Sequence, residues 1–237
     1  TVGGGNANDA TASESTVAGG SYNDATGTKS FVGGGGGNDA TAQFSTVAGG
    51  SNNTASGLYS FAVGDTCTAS AEAAAAIGNN HSATGANSAC LGGYANKADA
   101  RNAVCLGGNR GDTRGTIGKT VFAAGNSPIA FGHGYSQAAL LIVGATTNDA
   151  TTTTLRSDQN SASASNQCVL ENGGSLFAFT VTVVGREVST GHYACIKFEG
   201  VIDKQGTLDN VTIRTTPTKT TLGTNGDGSN WDAEVDD

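Results

Sequence analysis

One spacing constrains the fold of this chain more than any other feature: a glycine recurs every 14 or 15 residues through the first half of the sequence. The marker glycines are Gly19, Gly34, Gly49, Gly64, Gly78, Gly92 and Gly107. An alanine stands nine residues before each marker, at Ala10, Ala25, Ala40, Ala55, Ala69, Ala83 and Ala98. Such self-similarity predicts a repeat architecture in which each repeat is one unit stacked on its neighbours.

Each repeat contains two segments with the pattern of a β-strand. In the first, small residues alternate with a hydroxyl residue, as in Ala10, Thr11 and Ala12, so the small residues share one face and the coil interior is narrow. The second segment, Val17 and Ala18 in the first repeat, has two adjacent columns without any charge. Because adjacent residues point to opposite faces, one column fills the coil and the other needs a partner outside it.

The spacing also varies slightly along the repeats. Two of the spacings are 14 residues instead of 15, and the sequence places the missing residues in the turns after Gly64 and Gly78. Length variation is typical of surface turns. Stacked two-stranded coils of this kind predict a parallel β-solenoid, and threefold packing of identical chains is the closed arrangement that we predict for the second uncharged column.

Composition excludes several other classes. The chain has 237 residues with 37 glycines, but no G-x-y period, which excludes collagen. Its formal net charge of −8 argues against a nucleic-acid partner bound through a basic surface. The longest apolar runs, such as residues 138–144, are too short to span a bilayer, so we expect no membrane insertion.

The second half of the sequence has a different pattern. Predicted strands cover residues 138–144, 151–155, 167–171, 176–186, 192–203 and 211–222. Regular strands with turn signals and no helical period favour a small antiparallel β-sandwich-like module. We therefore predict an all-β chain with a repeat domain at 1–118, a junction at 119–137 and a sandwich-like module at 138–237.

The repeats carry the motif of a known family. Residues 60–64 (SFAVG) and 74–78 (AAAIG) resemble the coil motif of trimeric autotransporter adhesin heads, and the resemblance spans about residues 1–107. It implies a left-handed parallel β-roll with 14–15-residue coils, assembled as an intertwined or side-by-side homotrimer.

The second half is similar to a C-terminal module of phage and prophage tail-fibre proteins. The resemblance rests on residues 176–179 (LFAF), 197–203 (KFEGVID) and 231–233 (WDA). In that family further strands follow the Trp-Asp pair, whereas this chain stops at Asp237. Either other chains complete the sandwich, or the sequence is cut short.

Together the two resemblances imply a structural and receptor-binding segment of a trimeric phage tail fibre, located on the virion and extracellular. Its expected partners are the other copies of the trimer, a host-surface glycan or protein receptor, and other tail or fibre proteins. A bacterial trimeric adhesin on the cell surface is the alternative. An ice-binding solenoid that uses the hydroxyl column of Thr11 and a glycan depolymerase are more distant alternatives.

No combination of residues predicts catalysis, a cofactor or a metal, and the sequence leaves the ligand-binding residues open. Gly118-Lys119-Thr120 is similar to the end of a phosphate-binding loop, but the upstream glycine that such a loop needs is Thr113. The expected class is therefore a non-enzymatic protein.

Histidines and cysteines carry the remaining candidate chemistry. His81 falls in a coil turn and His192 in a hairpin turn, where we expect surface positions, and His133 falls in the junction, where a linker is favoured over a metal site. The five cysteines form no C-x-x-C pair. Cys90 and Cys105 occupy the same column one coil apart, and buried free thiols are favoured over a disulfide.

Overall fold

The computed structural model describes residues 1–125, 133–134, 137–145, 155–158, 160, 175–186, 192–204, 211–213 and 218–225. The chain divides into two compact units, Thr1–Val169 and Leu170–Asp237. Every helix or strand within the described residues is a β-strand, which confirms the predicted all-β class. The predicted strands at 151–155 and 167–171 lie mostly or wholly outside the described residues.

Fifteen strands of the first unit are described. They are β1 (Thr16–Val17), β2 (Asp24–Ala25), β3 (Phe31–Val32), β4 (Asp39–Ala40), β5 (Thr46–Ser51), β6 (Thr54–Ala55), β7 (Phe61–Asp65), β8 (Thr68–Ala69), β9 (Ala75–Asn79), β10 (Ser82–Ala83), β11 (Ala89–Tyr94), β12 (Lys97–Ala98), β13 (Val104–Leu106), β14 (Thr120–Ala123) and β15 (Gln137–Leu140).

These strands form two sheets, each with one strand per coil. Sheet 1 has the order β1-β3-β5-β7-β9-β11-β13-β14-β15, and sheet 2 has the order β12-β10-β8-β6-β4-β2. From β1 to β14 neighbouring strands are parallel and join residues one repeat apart, such as Val17 with Val32 and Ala25 with Ala40. This pairing confirms the parallel β-solenoid; its left-handedness stays a prediction.

The interior of the solenoid is as narrow as the alanine column predicts. The side chains from Ala25 to Ala98 in that column are fully buried on sheet 2. The structure also answers which column of the second strand faces inward. The buried column of sheet 1, here called the inner column, consists of Val17, Val32, Val47, Ala62, Ala76, Cys90, Cys105 and Val121.

The shorter coils arise differently from our expectation. Between β5 and β7 the pairing steps from Val47 with Ala62 to Gly49 with Val63, so the length change lies within sheet 1 and not in the following turn. A second shift lies between Leu91 and Tyr94. The turn placement was therefore wrong. A bulge can form there because the segment after Val47 is rich in glycine, which accepts the altered backbone easily.

Each coil turns two corners through a residue in the left-handed conformation. We name as the corner column the residues that precede sheet 1 by two positions: Glu14, Lys29, Phe44, Tyr59, Ala73, Asn87 and Asn102, with φ between 51° and 59°. The amide of Lys29 donates to the carbonyl of Ser13 at 2.9 Å, and Phe44 donates to Thr28 at 3.0 Å. These bonds between coils offset the conformational cost of a left-handed non-glycine residue.

A column of buried asparagines ties the other corner together. Asn38 Nδ2 donates to Asn23 Oδ1 at 3.1 Å and to the carbonyls of Gly34 and Gly50 at 2.9 Å. Asn38 Oδ1 accepts from the main-chain and side-chain nitrogens of Asn53, both at 3.0 Å. One side chain thus satisfies buried polar groups on three successive coils.

The last coil is closed by the chain itself. β14 continues the parallel stack of sheet 1, and β15 pairs with β14 in the antiparallel direction. The side-chain amide of Gln137 exchanges two hydrogen bonds with the main chain of Asp112, at 2.8 and 2.9 Å. Gln137 therefore takes the place that a further strand would have beside the last coil of sheet 2.

The second unit contains one antiparallel sheet among its described residues. Its strands are β16 (Ser175–Arg186), β17 (Tyr193–Lys204), β18 (Val211–Ile213) and β19 (Thr218–Asn225), with β17 paired to the other three. Ala194, Ile196 and Phe198 are buried and alternate with more exposed residues, as in a strand with one covered face. The second layer that a sandwich needs stays a prediction.

The narrow interior makes the alanine column sensitive to added volume. In Ala40→Leu we expect overpacking that costs about 1–3 kcal/mol, measured as a lower melting temperature. Thr41→Leu is the matched control, since Thr41 is exposed one position along the chain. Equal melting temperatures for the two variants would contradict an inward-facing alanine column.

The asparagine column predicts a second, distinct loss of stability. Asn38→Ala leaves the main-chain amide of Asn53 and the carbonyl of Gly34 without partners, whereas the Gly50 carbonyl keeps its bond from the Gly36 amide. Each buried group left unpaired costs about 1–3 kcal/mol. We expect a fall in unfolding free energy of at least about 2 kcal/mol in chemical denaturation. Asn79→Ala, at an exposed strand position, should lose far less unfolding free energy. Similar losses for both variants would argue against a stabilising role of the asparagine column.

Candidate interaction surface

The residues on either side of the inner column form the outer face of sheet 1. This face consists of Thr16, Phe31, Thr46, Phe61, Ala75, Ala89, Val104 and Thr120, and of Ala18, Gly33, Ala48, Val63, Ile77, Leu91, Leu106 and Phe122. None of these residues carries a charge, and all are at least partly accessible to solvent.

Several large side chains on this face are open to water. Phe31 is 40% exposed, Leu91 39% and Phe122 49%. Removing a side chain of this size from water contributes about 1.5–3 kcal/mol. Exposed large apolar side chains grouped on one uncharged face are typical of interaction surfaces.

The outer face of sheet 2 has the opposite character. It carries Asp9, Asp24 and Asp39 on successive coils, followed by hydroxyl residues and then Lys97. Asp24 pairs directly with Asp39, and burial together with the neighbouring Asp24 carboxylate raises the pKa of Asp39. Stacked charges need water or counter-ions, so this face is suited to solvent and the outer face of sheet 1 to a protein partner.

The corner column carries an exposed stack of side chains. Lys29 Nζ lies 3.9 Å from Glu14 Oε2 and 5.5 Å from the centroid of the Phe44 ring. The Phe44 and Tyr59 rings stack with centroids 5.0 Å apart and planes 10° apart. Sequence reasoning missed this stack, although two aromatic residues spaced by one repeat in a turn would have indicated it.

His81 is not on the surface, which corrects our expectation. It stands in the asparagine column and is 1% exposed. Its Nδ1 accepts a hydrogen bond from the main-chain nitrogen of Asn96 at 3.1 Å, as an asparagine oxygen does on other coils. Burial lowers the pKa of His81, and the nearby main chain of Gly92 offsets only part of this effect. His81 is therefore a structural residue of the asparagine column.

The thiols of the solenoid are buried and free, as expected. Cys67, Cys90 and Cys105 are all inaccessible to solvent. The contact with the Cys90 thiol, together with burial, strongly raises the pKa of Cys105, and burial raises the pKa of Cys67. Protonated, buried thiols are poor nucleophiles and poor metal ligands.

The other sequence candidates lie apart from one another. Lys119 is buried at the start of β14, and Gly118 donates to the carbonyl of Arg101 at a coil corner, so this segment does not form a phosphate-binding loop. His133 is exposed and His192 is half-buried. Within the described part of the chain, no three His, Cys, Asp or Glu side chains are grouped to hold a metal ion.

A groove of about 570 Å³ opens beside the end of the solenoid. Ile142, Val143, Arg156 and Asp158 are among its lining residues. Asp158 forms an ion pair with Arg101 at 3.5 Å, and Arg156 donates to the carbonyl of Asn160 at 2.7 Å. Both charged groups are thus engaged in structural contacts.

Comparisons with known proteins give no family. No protein-family model matches the chain, and no curated protein matches it. Among the described residues there is also no helix with the length and apolarity to cross a membrane.

The buried imidazole predicts a dependence of stability on pH. The pKa of His81 is lower in the folded state than its unfolded value near about 6.5, so the unfolded chain gains the proton first. Stability should be intact above about pH 6.5 and fall as the pH drops from there toward the lowered pKa.

Melting temperatures above and below about pH 6.5 measure this effect. His81→Asn restores the residue found on most other coils, and this variant should lose less stability on acidification than the parent. An identical pH dependence in both proteins would show that His81 is not responsible.

Proposed function

We propose that this protein is a structural segment of a homotrimeric phage tail fibre that attaches the virion to the host surface without catalysis. The observation that carries the proposal is the uncharged outer face of sheet 1, which runs along the whole solenoid. The resemblances of residues 60–64 to trimeric adhesin heads and of 197–203 to tail-fibre modules support the same assignment.

The contrast between the two sheets supports trimer assembly. Three copies that turn sheet 1 toward a common axis bury Phe31, Leu91 and Phe122 and leave the charged face of sheet 2 in water. A cyclic arrangement closes on itself, so no apolar edge is left to recruit further copies. The reverse arrangement would bring Asp24 and Asp39 of each copy together and is disfavoured by charge repulsion.

Attachment without catalysis is supported by the chemistry of the surface. The solenoid thiols and His81 are buried in structural roles, and the accessible groups on sheet 2 are hydroxyls, stacked carboxylates and Lys97. Such a surface suits weak contacts with a host glycan or protein receptor. Three copies of each contact in one trimer make the overall binding stronger than the affinity of a single site. Other tail or fibre proteins are the further partners, and the virion is the expected location.

Two measurements test the trimer: its molecular mass, and the effect of a charged substitution at the proposed interface. Light scattering should give three times the chain mass of 23.3 kDa. Leu91→Asp places a carboxylate on the proposed contact of every copy, and we expect dissociation or a strongly lowered melting temperature because the charge is buried. Thr41→Asp places the same charge on the outer side of sheet 2 and should leave the trimer intact.

A stable folded monomer of the parent chain, or equal effects of the two charges, would contradict the trimer. Catalysis is tested separately with purified host polysaccharide. Reducing ends that increase on incubation with the repurified trimer would establish a depolymerase, the alternative that the proposal ranks lowest.

A bacterial trimeric adhesin would use the same solenoid and the same interface. The resemblance of residues 60–64 supports it, and the two functions differ in what anchors the fibre. Genes for phage tail proteins or for a secretion system beside the coding sequence distinguish them.

One observation favours the ice-binding alternative to a limited extent. The hydroxyl column from Thr11 to Thr84 is exposed on six successive coils. The neighbouring outward column, however, carries the charged residues Asp24 and Asp39. The hydroxyl column itself ends at Asp99, whose carboxylate forms an ion pair with Lys97 at 2.7 Å. A thermal-hysteresis assay separates this function from attachment.

A further inference from the structure

The stack of side chains along the corner column ends at Tyr59. One face of its ring is covered by Phe44, whose other side faces Lys29, so the ring is held in a defined orientation. The next residue of the column is Ala73, whose methyl group is too small to cover the second face. Tyr59 is 56% exposed. Among the described residues no second ring stacks on Tyr59, so a flat aromatic face is presented to solvent.

The gap beyond Tyr59 has the depth of one ring. Ala73 donates to the carbonyl of Leu58 and Asn87 to that of Glu72, both at 2.8 Å, so these residues stand on the next two coils. Two coil spacings separate Tyr59 from Asn87 by about 9.6 Å. A ring stacked on Tyr59 at about 4 Å leaves about 5.6 Å to the level of Asn87, which the Asn87 amide and a hydrogen bond can span.

The rim of the gap supplies polar groups. Glu72 and Leu58 precede Ala73 and Tyr59 in the same corners, and both are exposed. The Glu72 carboxylate accepts hydrogen bonds from hydroxyl groups, and the Asn87 amide both donates and accepts them. The Glu72 charge, on a chain with formal net charge −8, disfavours phosphorylated or other anionic ligands.

We propose that the gap formed by Tyr59, Ala73, Asn87 and Glu72 binds one neutral hexopyranose unit of a polysaccharide. The C–H face of the sugar stacks on the Tyr59 ring, and its hydroxyls bind Glu72 and Asn87. The ligand completes the stack that the side chains leave unfinished. The inference rests on the proposed attachment function for the source of the sugar, but the gap lies within a single chain and does not need the trimer.

A second exposed tyrosine provides the internal contrast. Tyr22 is 65% exposed at the other corner of the coil, and the next residue in its column is Gly37. There the Asn52 side chain fills the space: its Oδ1 lies 2.6 Å from the position that a Cβ on Gly37 would take. Tyr22 therefore has a filled gap where Tyr59 has an open one.

The test uses the whole chain on a glycan array of neutral and acidic oligosaccharides. Titrations by NMR follow, with the methyl glycosides of glucose, galactose, mannose and N-acetylglucosamine and with adenosine as an uncharged aromatic competitor. Tyr59→Ala should weaken hexoside binding at least about tenfold, as loss of a stacking ring does elsewhere. Tyr22→Ala should stay within about twofold of the parent.

Ala73→Tyr fills the gap with a protein ring and should abolish binding while it preserves the fold. The backbone accepts an aromatic residue there, because Phe44 and Tyr59 have φ of 57° and 59° in the same column, against 51° for Ala73. Loss of binding in this variant at an unchanged melting temperature supports the gap as the binding site even if Tyr59→Ala is destabilised.

Three results would overturn the inference. They are no binding of any hexose on the array or at millimolar concentration, equal weakening by Tyr22→Ala, and a preference for adenosine over every hexoside. Mass measurements on the same samples keep the two proposals apart. A monomer that binds the sugar supports the gap as a sugar site and contradicts the trimer. A trimer that binds no sugar overturns the sugar site alone.

Discussion

The fold depends on one demand: each coil must satisfy the polar main-chain groups that its corners turn inward, because no water reaches them. The strands of sheet 2 are all two residues long, so sheet pairing alone leaves many such groups unpaired. The asparagine column meets this demand with side chains that reach the coils before and after their own, as Asn38 does. Each coil is therefore stable only with its neighbours in place, which is the energetic basis of a linear repeat protein.

Much of this architecture could be predicted from residue spacing. The invariant alanines required a narrow interior, and the paired uncharged columns required two buried or covered faces. The direction of each column could not be predicted, because Val17 and Ala18 are equally compatible with either face until the coil is closed. His81 was misplaced for a related reason: the ring belongs to an asparagine column, and only the contact of its Nδ1 with Asn96 reveals that a histidine can replace the amide there.

Interior volume is shared between columns rather than kept constant in each. Where the asparagine column holds the bulky His81, the inner column of the same coil holds Ala76, and where it holds Asn23 or Asn38, the inner column holds valine. On these coils a large residue in one column is offset by a small residue in the other. The coil of Ala62 is an exception, since its asparagine column holds the small residue Cys67. A sequence comparison of one column at a time does not detect this offset.

The left-handed corners have a consequence for how such a chain can vary. Their backbone is fixed by hydrogen bonds from coil to coil, and the column accepts glutamate, lysine, phenylalanine, tyrosine, alanine and asparagine without a change in φ beyond 51° to 59°. Each corner is thus a display position, repeated at regular intervals along the solenoid, whose side chain can also contact those of neighbouring corners. Substitutions in the corner column can therefore change the surface chemistry one residue at a time, and the backbone of the solenoid does not need to change with them.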